Sequence, residues 1–193
     1  MEILVKLLST AARVKIMRLF LLNKSKTFTN KDIVKRSRVT PSSIRKEINL
    51  LASVDFIKKY TEGWSFNPAF KYVKEFENLL VSADTLDDKT IVDNFKKVGR
   101  IKLLIVSGVF IKNKDSRLDL LIVGDKLKKG KIEEGIRKLE AEIGAEVVYA
   151  IFETQEFVYR LNMFDKLVRD ILDFPHKVIL QNKELSTYAL KKF

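Results

Sequence analysis

The feature that most constrains this chain is a proline at the start of a helical repeat. Pro41 follows Thr40, and apolar residues then recur every three or four positions. Proline has no backbone donor, so it suits the first helical position, where N–H groups lack partners within the helix. The pattern predicts a helix over residues 41–52, and we expect the Thr40 side chain to accept its first free N–H groups. The inward positions of this helix are Ile44, Ile48 and Leu51.

Two further helices are predicted before this one. Residues 9–23 carry a broad apolar face, and residues 31–37 form a shorter repeat that Thr29 or Asn30 can cap. A short helix, a tight turn and a capped helix make a helix-turn-helix. The outward face of the last helix carries small hydroxyls and basic or amide groups, which suit entry into a DNA major groove. Its outward residues are Ser42, Ser43, Arg45, Lys46 and Asn49.

A β-hairpin is predicted directly after these helices. Residues 55–66 alternate between apolar and polar positions around a turn at residues 61–63. Lys58 and Lys59 lie on its first strand. A basic hairpin in this place corresponds to the wing of a winged helix-turn-helix.

The positive charge is concentrated in the same part of the chain. Residues 1–68 hold 14 Lys and Arg against 5 Asp and Glu, a net charge of +9 out of +12 for the whole chain. The remaining residues are close to balanced. A small basic domain joined to a near-neutral one suggests a module that binds a polyanion together with a partner domain.

Residues 8–68 resemble the winged helix-turn-helix domain of the bacterial and archaeal ArsR/MarR-like transcription regulators. The stretches that carry the resemblance are ARVKIMRLFLLN, RVTPSSIRKEINLL and FIKKYTEGWSFNP. The resemblance implies binding of double-stranded DNA. The expected phosphate contacts are Arg45, Lys46, Lys58 and Lys59. The residues expected near base edges are Ser42, Ser43 and Asn49, and Thr40 is a further predicted DNA-binding residue.

A connecting segment follows the hairpin. A helix is predicted over residues 69–83, and its apolar side can pack back on the first domain or meet a second copy in a dimer. The acidic break at residues 84–88 is the expected boundary, and a short helix over residues 89–98 leads onward. The predicted division is therefore a domain at 1–68, a connection at 69–88 and a second domain at 89–193. The apolar positions of the connecting helix are Phe70, Val73, Phe76, Leu79 and Leu80.

The second domain alternates apolar strands with helices. The strands IKLLIVSG, RLDLLIVG, AEVVYAIF and HKVIL are apolar on both sides, which predicts a sheet covered on both faces. The helices between them indicate an α/β layer with a mixed sheet. With the helical first domain, the predicted fold class is α+β.

This succession resembles the DNA polymerase β-like nucleotidyltransferases, particularly the minimal ones. In that family a Gly-Ser pair and a Ser-Asp-x-Asp strand hold the nucleotide and two metal ions, and a later strand supplies a third carboxylate. Here the matching positions hold Gly108-Val109, Ser116-Arg117-Leu118-Asp119 and Val148. Of the three metal ligands that the resemblance implies, only Asp119 remains, and we expect no catalysis because Arg117 would repel a metal ion. We expect Asp119 to be a strand-end residue that pairs with Arg117 or Lys102.

Other patterns support no catalytic site or cofactor. The chain has no cysteine and a single histidine, His176, so neither a thiolate metal site nor a catalytic triad is indicated. Residues 124–131 differ from a phosphate-binding P-loop, which has four residues between its glycines and a Ser or Thr after the lysine. They form a basic loop before a helix. No apolar run approaches the length of a membrane span, and we expect a cytoplasmic protein without membrane contact.

The function that these features favour is a DNA-binding transcriptional regulator. The second domain would serve dimerisation, binding of a protein partner, or sensing. One alternative is an active Mg²⁺-dependent nucleotidyltransferase that the winged domain guides to its substrate. A second alternative is an antitoxin-like protein-interaction module. The outward cations and Asp119 are the residues that distinguish these hypotheses.

Overall fold

The computed structural model describes residues 2–82, 86–113 and 115–186. These residues divide into two compact units, one drawn from residues 1–85 and 137–146 and the other from residues 86–136 and 147–193. Helices and two separate sheets both contribute, so the predicted α+β class is confirmed. Within the described residues, no helix has both the length and the apolar character needed to cross a bilayer.

The first unit alternates helices with short strands. Its main elements in chain order are α1 (Glu2–Leu8), α2 (Ala11–Leu22), β1 (Thr27–Phe28), α3 (Asn30–Ser37), α4 (Pro41–Ser53), β2 (Ile57–Tyr60), β3 (Gly63–Phe66) and α5 (Val73–Glu77). Three helices and the hairpin lie within about two residues of their predicted limits. Helix α3 is capped by Thr29, whose hydroxyl accepts the Asp32 N–H while the Asp32 carboxylate accepts the Thr29 N–H. Helix α1 was not predicted, although its Leu4 is buried in the core.

The hairpin belongs to a three-stranded antiparallel sheet. Strand β3 is central, with β2 on one side and β1 on the other. Strand β1 comprises only two residues, too few to give an alternating pattern, and it was not predicted. Thr27 pairs opposite Ser65, and their hydroxyl oxygens lie 2.7 Å apart. The extra strand ties the hairpin to the chain just before α3.

The segment after the hairpin packs onto the first unit. A single helix was predicted over residues 69–83, but the α-helical part begins at Val73, and a π-helical turn follows over Asn78–Ser82. Phe70 and Phe76 both contact Phe56, with ring centroids 5.1 and 6.3 Å apart. The first unit therefore continues past residue 68, the predicted end of the first domain, and includes this connecting segment. The predicted end of the helix at residue 83 and the boundary residues 84 and 85 lie outside the described residues.

The second unit is built around a four-stranded sheet. Its elements are α6 (Asp88–Asp93), β4 (Arg100–Val106), β5 (Leu120–Asp125), the start of α7 (Lys129–Ile143), β6 (Tyr149–Phe152), α8 (Thr154–Asn162), α9 (Lys166–Leu172) and β7 (Lys177–Gln181). The strand order is β6-β5-β4-β7. Strands β5 and β6 run parallel, and the other neighbours are antiparallel, so the predicted mixed sheet is confirmed.

The two central strands are buried at consecutive positions. Leu103 and Leu104 of β4, and Leu121 and Ile122 of β5, are all inaccessible or nearly so. Because successive side chains point to opposite faces of a sheet, both faces of this one are covered, as predicted. One face packs against α8 through Phe157 and against α9 through Val168, and both side chains are fully buried.

Residues 137–146 were predicted to belong to the second domain, but they cluster with the first unit. The Arg18 side chain, buried in α2, donates from Nη1 to the Glu142 carbonyl at 2.9 Å. The Asn23 amide donates to the Gly144 carbonyl at 2.8 Å. These hydrogen bonds join segments about 120 residues apart in the chain, so no local pattern indicates them.

Candidate nucleic-acid interface

Helix α4 begins as predicted, with Thr40 as its cap and Pro41 at its first position. The prediction that Thr40 caps this helix with its side chain is wrong, because the Thr40 hydroxyl accepts no helical N–H group. This hydroxyl donates to the Ser43 Oγ at 3.0 Å and lies 3.3 Å from the Ser42 Oγ. Three hydroxyl groups are thus clustered at the start of the helix, where small side chains leave room for close approach.

The two faces of α4 divide as the spacing predicted. Ile44, Ile48 and Leu51 are buried in the core of the first unit. The opposite face is in contact with solvent at Ser42, Arg45, Lys46 and Asn49, with Ser43 half-buried. The structure therefore brings the predicted site residues of this helix onto one accessible side.

A buried carboxylate, not anticipated from the sequence, anchors α4. Glu47 is 2 % exposed, and its Oε2 accepts from the Arg13 Nε at 2.8 Å. Its Oε1 accepts from the Thr10 hydroxyl, also at 2.8 Å. An ion pair with hydrogen bonds to both oxygens satisfies the buried charge. The pairing fixes α4 to the start of α2; the sequence signal was a glutamate next to the inward Ile48.

Many cations of the first unit have a carboxylate partner. Lys15 pairs with Glu142, Lys24 with Glu77, and Arg36 with Glu146, at 2.6–2.7 Å. The predicted DNA-contacting cations have no such partner among the described residues, and they share this property with Lys31 and Arg38. The predicted DNA-contacting cations are Arg45, Lys46, Lys58 and Lys59. Four uncompensated positive charges therefore remain on α4 and the hairpin.

The hairpin presents its two lysines on opposite faces. Lys58 stands opposite Ser65, and Lys59 stands opposite Trp64 in the β2–β3 register. Because they are consecutive in a strand, their side chains point to opposite sides of the sheet. An open groove of about 460 Å³ lies between the hairpin turn and the start of α3, and Lys31, Lys59 and Trp64 are among its lining residues.

Trp64 holds the hairpin in place beside α3. Its indole N–H donates to the Asn30 side-chain oxygen at 3.1 Å. Asn30 is the first residue of α3, so this bond fixes the hairpin relative to the start of that helix. The hairpin is thus tied to the rest of the unit by β1 and by Trp64.

In the second unit, Asp119 is committed to backbone hydrogen bonds. It is buried, and its two oxygens accept from the N–H groups of Val109 at 2.9 Å and Val148 at 2.8 Å. The expectation that Asp119 pairs with Arg117 or Lys102 is wrong. Arg117 is exposed and lies 3.9 Å from Asp170.

The Asp119 carboxylate leaves no room for a side chain at Gly108. The φ of Gly108 is +49°, and a Cβ added there would lie 1.8 Å from the Asp119 Oδ1. Only glycine fits so close to the carboxylate in this backbone conformation. Beside it, the buried Ser107 hydroxyl donates to the Pro175 carbonyl and lies 2.7 Å from the Ser116 Oγ. The predicted motif positions Gly108, Ser116 and Asp119 thus come together as packed, internally hydrogen-bonded groups.

Other titratable groups are also held in structural pairs. Lys102 pairs with Asp125 at 2.8 Å and with Glu184 at 2.5 Å. His176 is buried, and its Nδ1 lies 2.8 Å from the Phe174 carbonyl oxygen. Across the ranges that the structure describes, no three His, Asp or Glu residues are grouped so that they could hold a metal ion.

Replacing Asp119 by alanine is expected to loosen the second unit. The change leaves the part-buried Val109 and Val148 amides without their acceptor, which costs about 1–3 kcal/mol. We expect the protection of these two amides against hydrogen exchange to fall sharply. Asp115→Ala, at an exposed site, is the control. Unchanged protection in Asp119→Ala would contradict the structural role.

The Asp125 ion pair gives a pH dependence. Its hydrogen bonds to Lys102 and Thr154 lower the pKa of Asp125 from 3.8 to about 2. Because the folded pKa is below the unfolded value of about 3.9, the stabilisation is present above about pH 4 and lost as pH falls towards 2. The melting temperatures of the wild type and Asp125→Asn should therefore converge between these pH values. A constant difference would argue against the pair.

Comparisons of this chain with protein families, with curated proteins and with solved structures find no match.

Proposed function

We propose that this protein is a DNA-binding transcriptional regulator, with the first unit acting as a winged helix-turn-helix. The observation that carries the proposal is the outward face of α4, where Arg45 and Lys46 have no carboxylate partner and Ser42 and Asn49 are exposed. The succession helix, short strand, two helices and hairpin supports this assignment. A face with this chemistry at the end of a helix-turn-helix suits the major groove of DNA.

In the proposed complex, the start of α4 approaches the base edges. The clustered hydroxyls of Thr40, Ser42 and Ser43 are small and can donate or accept hydrogen bonds. The Asn49 amide lies further along the same face and can bond to adenine through both of its polar groups. Arg45 and Lys46 contact phosphates and set the position of the helix on the duplex.

The hairpin acts as the wing in this proposal. Lys58 and Lys59 point to opposite sides of the sheet, so they suit contacts with phosphates on either side of an inserted wing. The bond from Trp64 to Asn30 supports a wing that is fixed before DNA binds. A preorganised wing loses less conformational freedom on binding than a mobile loop would.

We assign the second unit a non-catalytic role in dimerisation, in binding a protein partner or in sensing. Its resemblance to the minimal nucleotidyltransferases rests on the strand succession and on Gly108, Ser116 and Asp119. Both Asp119 oxygens accept backbone N–H groups, and Arg117 stands where a further metal-binding carboxylate would be required. These observations support a domain that has the fold of the nucleotidyltransferases without their catalytic activity.

Duplex binding by this protein should weaken steeply as the salt concentration rises. If each protomer neutralises about four to six phosphates, the logarithm of the duplex-binding constant should fall against the logarithm of salt concentration with a slope of roughly −4 to −5. Titrating the full chain with labelled duplex DNA at several salt concentrations measures this slope. Absence of affinity for any duplex at low salt would overturn the proposal.

A further inference from the structure

The second unit carries a concentrated group of exposed cations that the proposed winged domain does not use. Two segments contribute to it, residues 96–100 (KKVGR) and residues 126–131 (KLKKGK). All of their cationic side chains are exposed, and we call the group the second basic patch. Its members are Lys96, Lys97, Arg100, Lys126, Lys128, Lys129 and Lys131.

The backbone builds this patch from two separate parts of the chain. The Lys128 N–H donates to the Val98 carbonyl at 2.6 Å. Gly99 lies so close to the Lys126 carbonyl that a Cβ would be 2.6 Å from its oxygen. Arg100 stands opposite Asp125 in the β4–β5 pairing, so the two segments meet at one end of that strand pair.

The positive charge of the patch is largely uncompensated. Asp93 pairs with Lys96, and Glu134 lies 3.9 Å from Lys131. The nearby Asp125 is held by Lys102 and Thr154. No carboxylate among the described residues forms an ion pair with the remaining five cations, which are Lys97, Arg100, Lys126, Lys128 and Lys129.

The surroundings of the patch favour a phosphate backbone over a lipid surface. Membrane-surface binding combines cations with exposed apolar or aromatic side chains that enter the interface. Here the apolar residues are withdrawn, since Val98 is buried and Leu127 is half-buried. Helix α7 also begins at Lys129, and the positive end of its dipole favours an anion in the same place.

We propose that the second basic patch is a binding surface for the sugar-phosphate backbone of nucleic acid. It uses no residue of α4 or of the hairpin, so it is a contact additional to the winged domain and does not rest on that assignment. Because its cations face phosphates and no base edges, it adds affinity without sequence preference. Each phosphate that the patch neutralises makes the slope of log affinity against log salt concentration steeper by about 0.9.

The test compares two triple substitutions in the full chain. One removes three patch cations, Lys97→Gln, Lys128→Gln and Lys129→Gln. The control removes three exposed cations elsewhere in the second unit, Arg117→Gln, Lys166→Gln and Lys183→Gln. Both lower the net charge equally. Binding is measured to a mixed-sequence 30-base-pair duplex over a range of salt, and to vesicles of phosphatidylserine and phosphatidylcholine.

We expect the patch variant to bind the duplex about tenfold or more weakly than the control, with a salt slope shallower by roughly 2 to 3. Equal binding by the two variants would overturn the proposal, as would binding of the wild type to vesicles but not to duplex. Each triple substitution is also made separately in a protein that carries Arg45→Gln and Lys46→Gln. This comparison separates the contribution of the patch from that of α4. Patch-dependent binding that survives in that protein supports the patch even if the winged domain has another role.

Discussion

Removing the charges of Arg45 and Lys46 together, by substitution with glutamine, should weaken duplex binding about 50-fold at 0.1 M salt. Each lost phosphate contact makes the slope of log affinity against log salt shallower by about 0.9, so the two together change it by nearly 2. Both side chains are exposed and have no ion-pair partner in the described structure. The fold should therefore be unaffected, and fluorescence anisotropy with labelled duplex reports binding alone.

The matched control is Lys71→Gln with Lys74→Gln. These lysines are exposed in the same unit but lie outside α4 and the hairpin. The control pair lowers the net charge by the same amount as the pair on α4. It therefore measures how binding depends on net charge, apart from where the charges lie. If the control pair weakened binding as much as the pair on α4, the binding would depend on overall charge, and α4 would lose its special role.

Phe56→Ala is expected to destabilise the first unit by about 3–5 kcal/mol. The ring is fully buried and contacts Phe66 of the hairpin edge-on, with centroids 5.4 Å apart. It also contacts Phe70 and Phe76 of the following segment. Truncation leaves a cavity where the hairpin and that segment join, and rigid aromatic neighbours fill such a space poorly.

Urea unfolding followed by tryptophan fluorescence measures this effect. Trp64 is the only tryptophan and lies in the hairpin, so its signal reports the first unit. Tyr60→Ala is the control, because Tyr60 lies in the same hairpin but is 53 % exposed. A similar loss of stability in the two variants would contradict the role of Phe56 as a buried core residue at this junction.

Periodic elements were predictable from the sequence. Helix α4 has an apolar repeat, a proline at its start and an outward polar face, so local pattern and burial agree. The strands β4 and β5 are continuous apolar runs, as strands covered on both faces must be. In each case the residues that define the element are neighbours in the chain, so the signal is present in the sequence itself.

The features that escaped prediction depend on long-range contacts or on irregular geometry. Strand β1 exists because it pairs with β3, and the burial of Glu47 depends on Arg13, 34 residues away. In the π-helical turn over Asn78–Ser82, Leu80 is buried but Leu79, predicted on the same apolar side, is exposed.

The hydrogen-bond partners of Asp119 in the second unit also could not be predicted from the sequence. The sequence placed Asp119 in a strand-loop-strand frame, but it could not show which groups its oxygens accept. The partners are main-chain amides of Val109 and Val148, and an amide has no sequence signature. Gly108 was the available signal, because a glycine beside a buried carboxylate indicates close approach of backbone to side chain.

A crosslinking experiment can locate α4 on bound DNA. The chain has no cysteine, so Asn49→Cys introduces a single thiol on the outward face of that helix, and Lys74→Cys provides an exposed control. Each variant is labelled with a thiol-specific photocrosslinker, bound to a duplex selected from a random library, and irradiated. We expect Asn49→Cys to crosslink to bases within the selected site and Lys74→Cys to give no base crosslinks. Failure to select any duplex at low salt, or base crosslinks from Asn49→Cys no stronger than those of the control, would contradict the account.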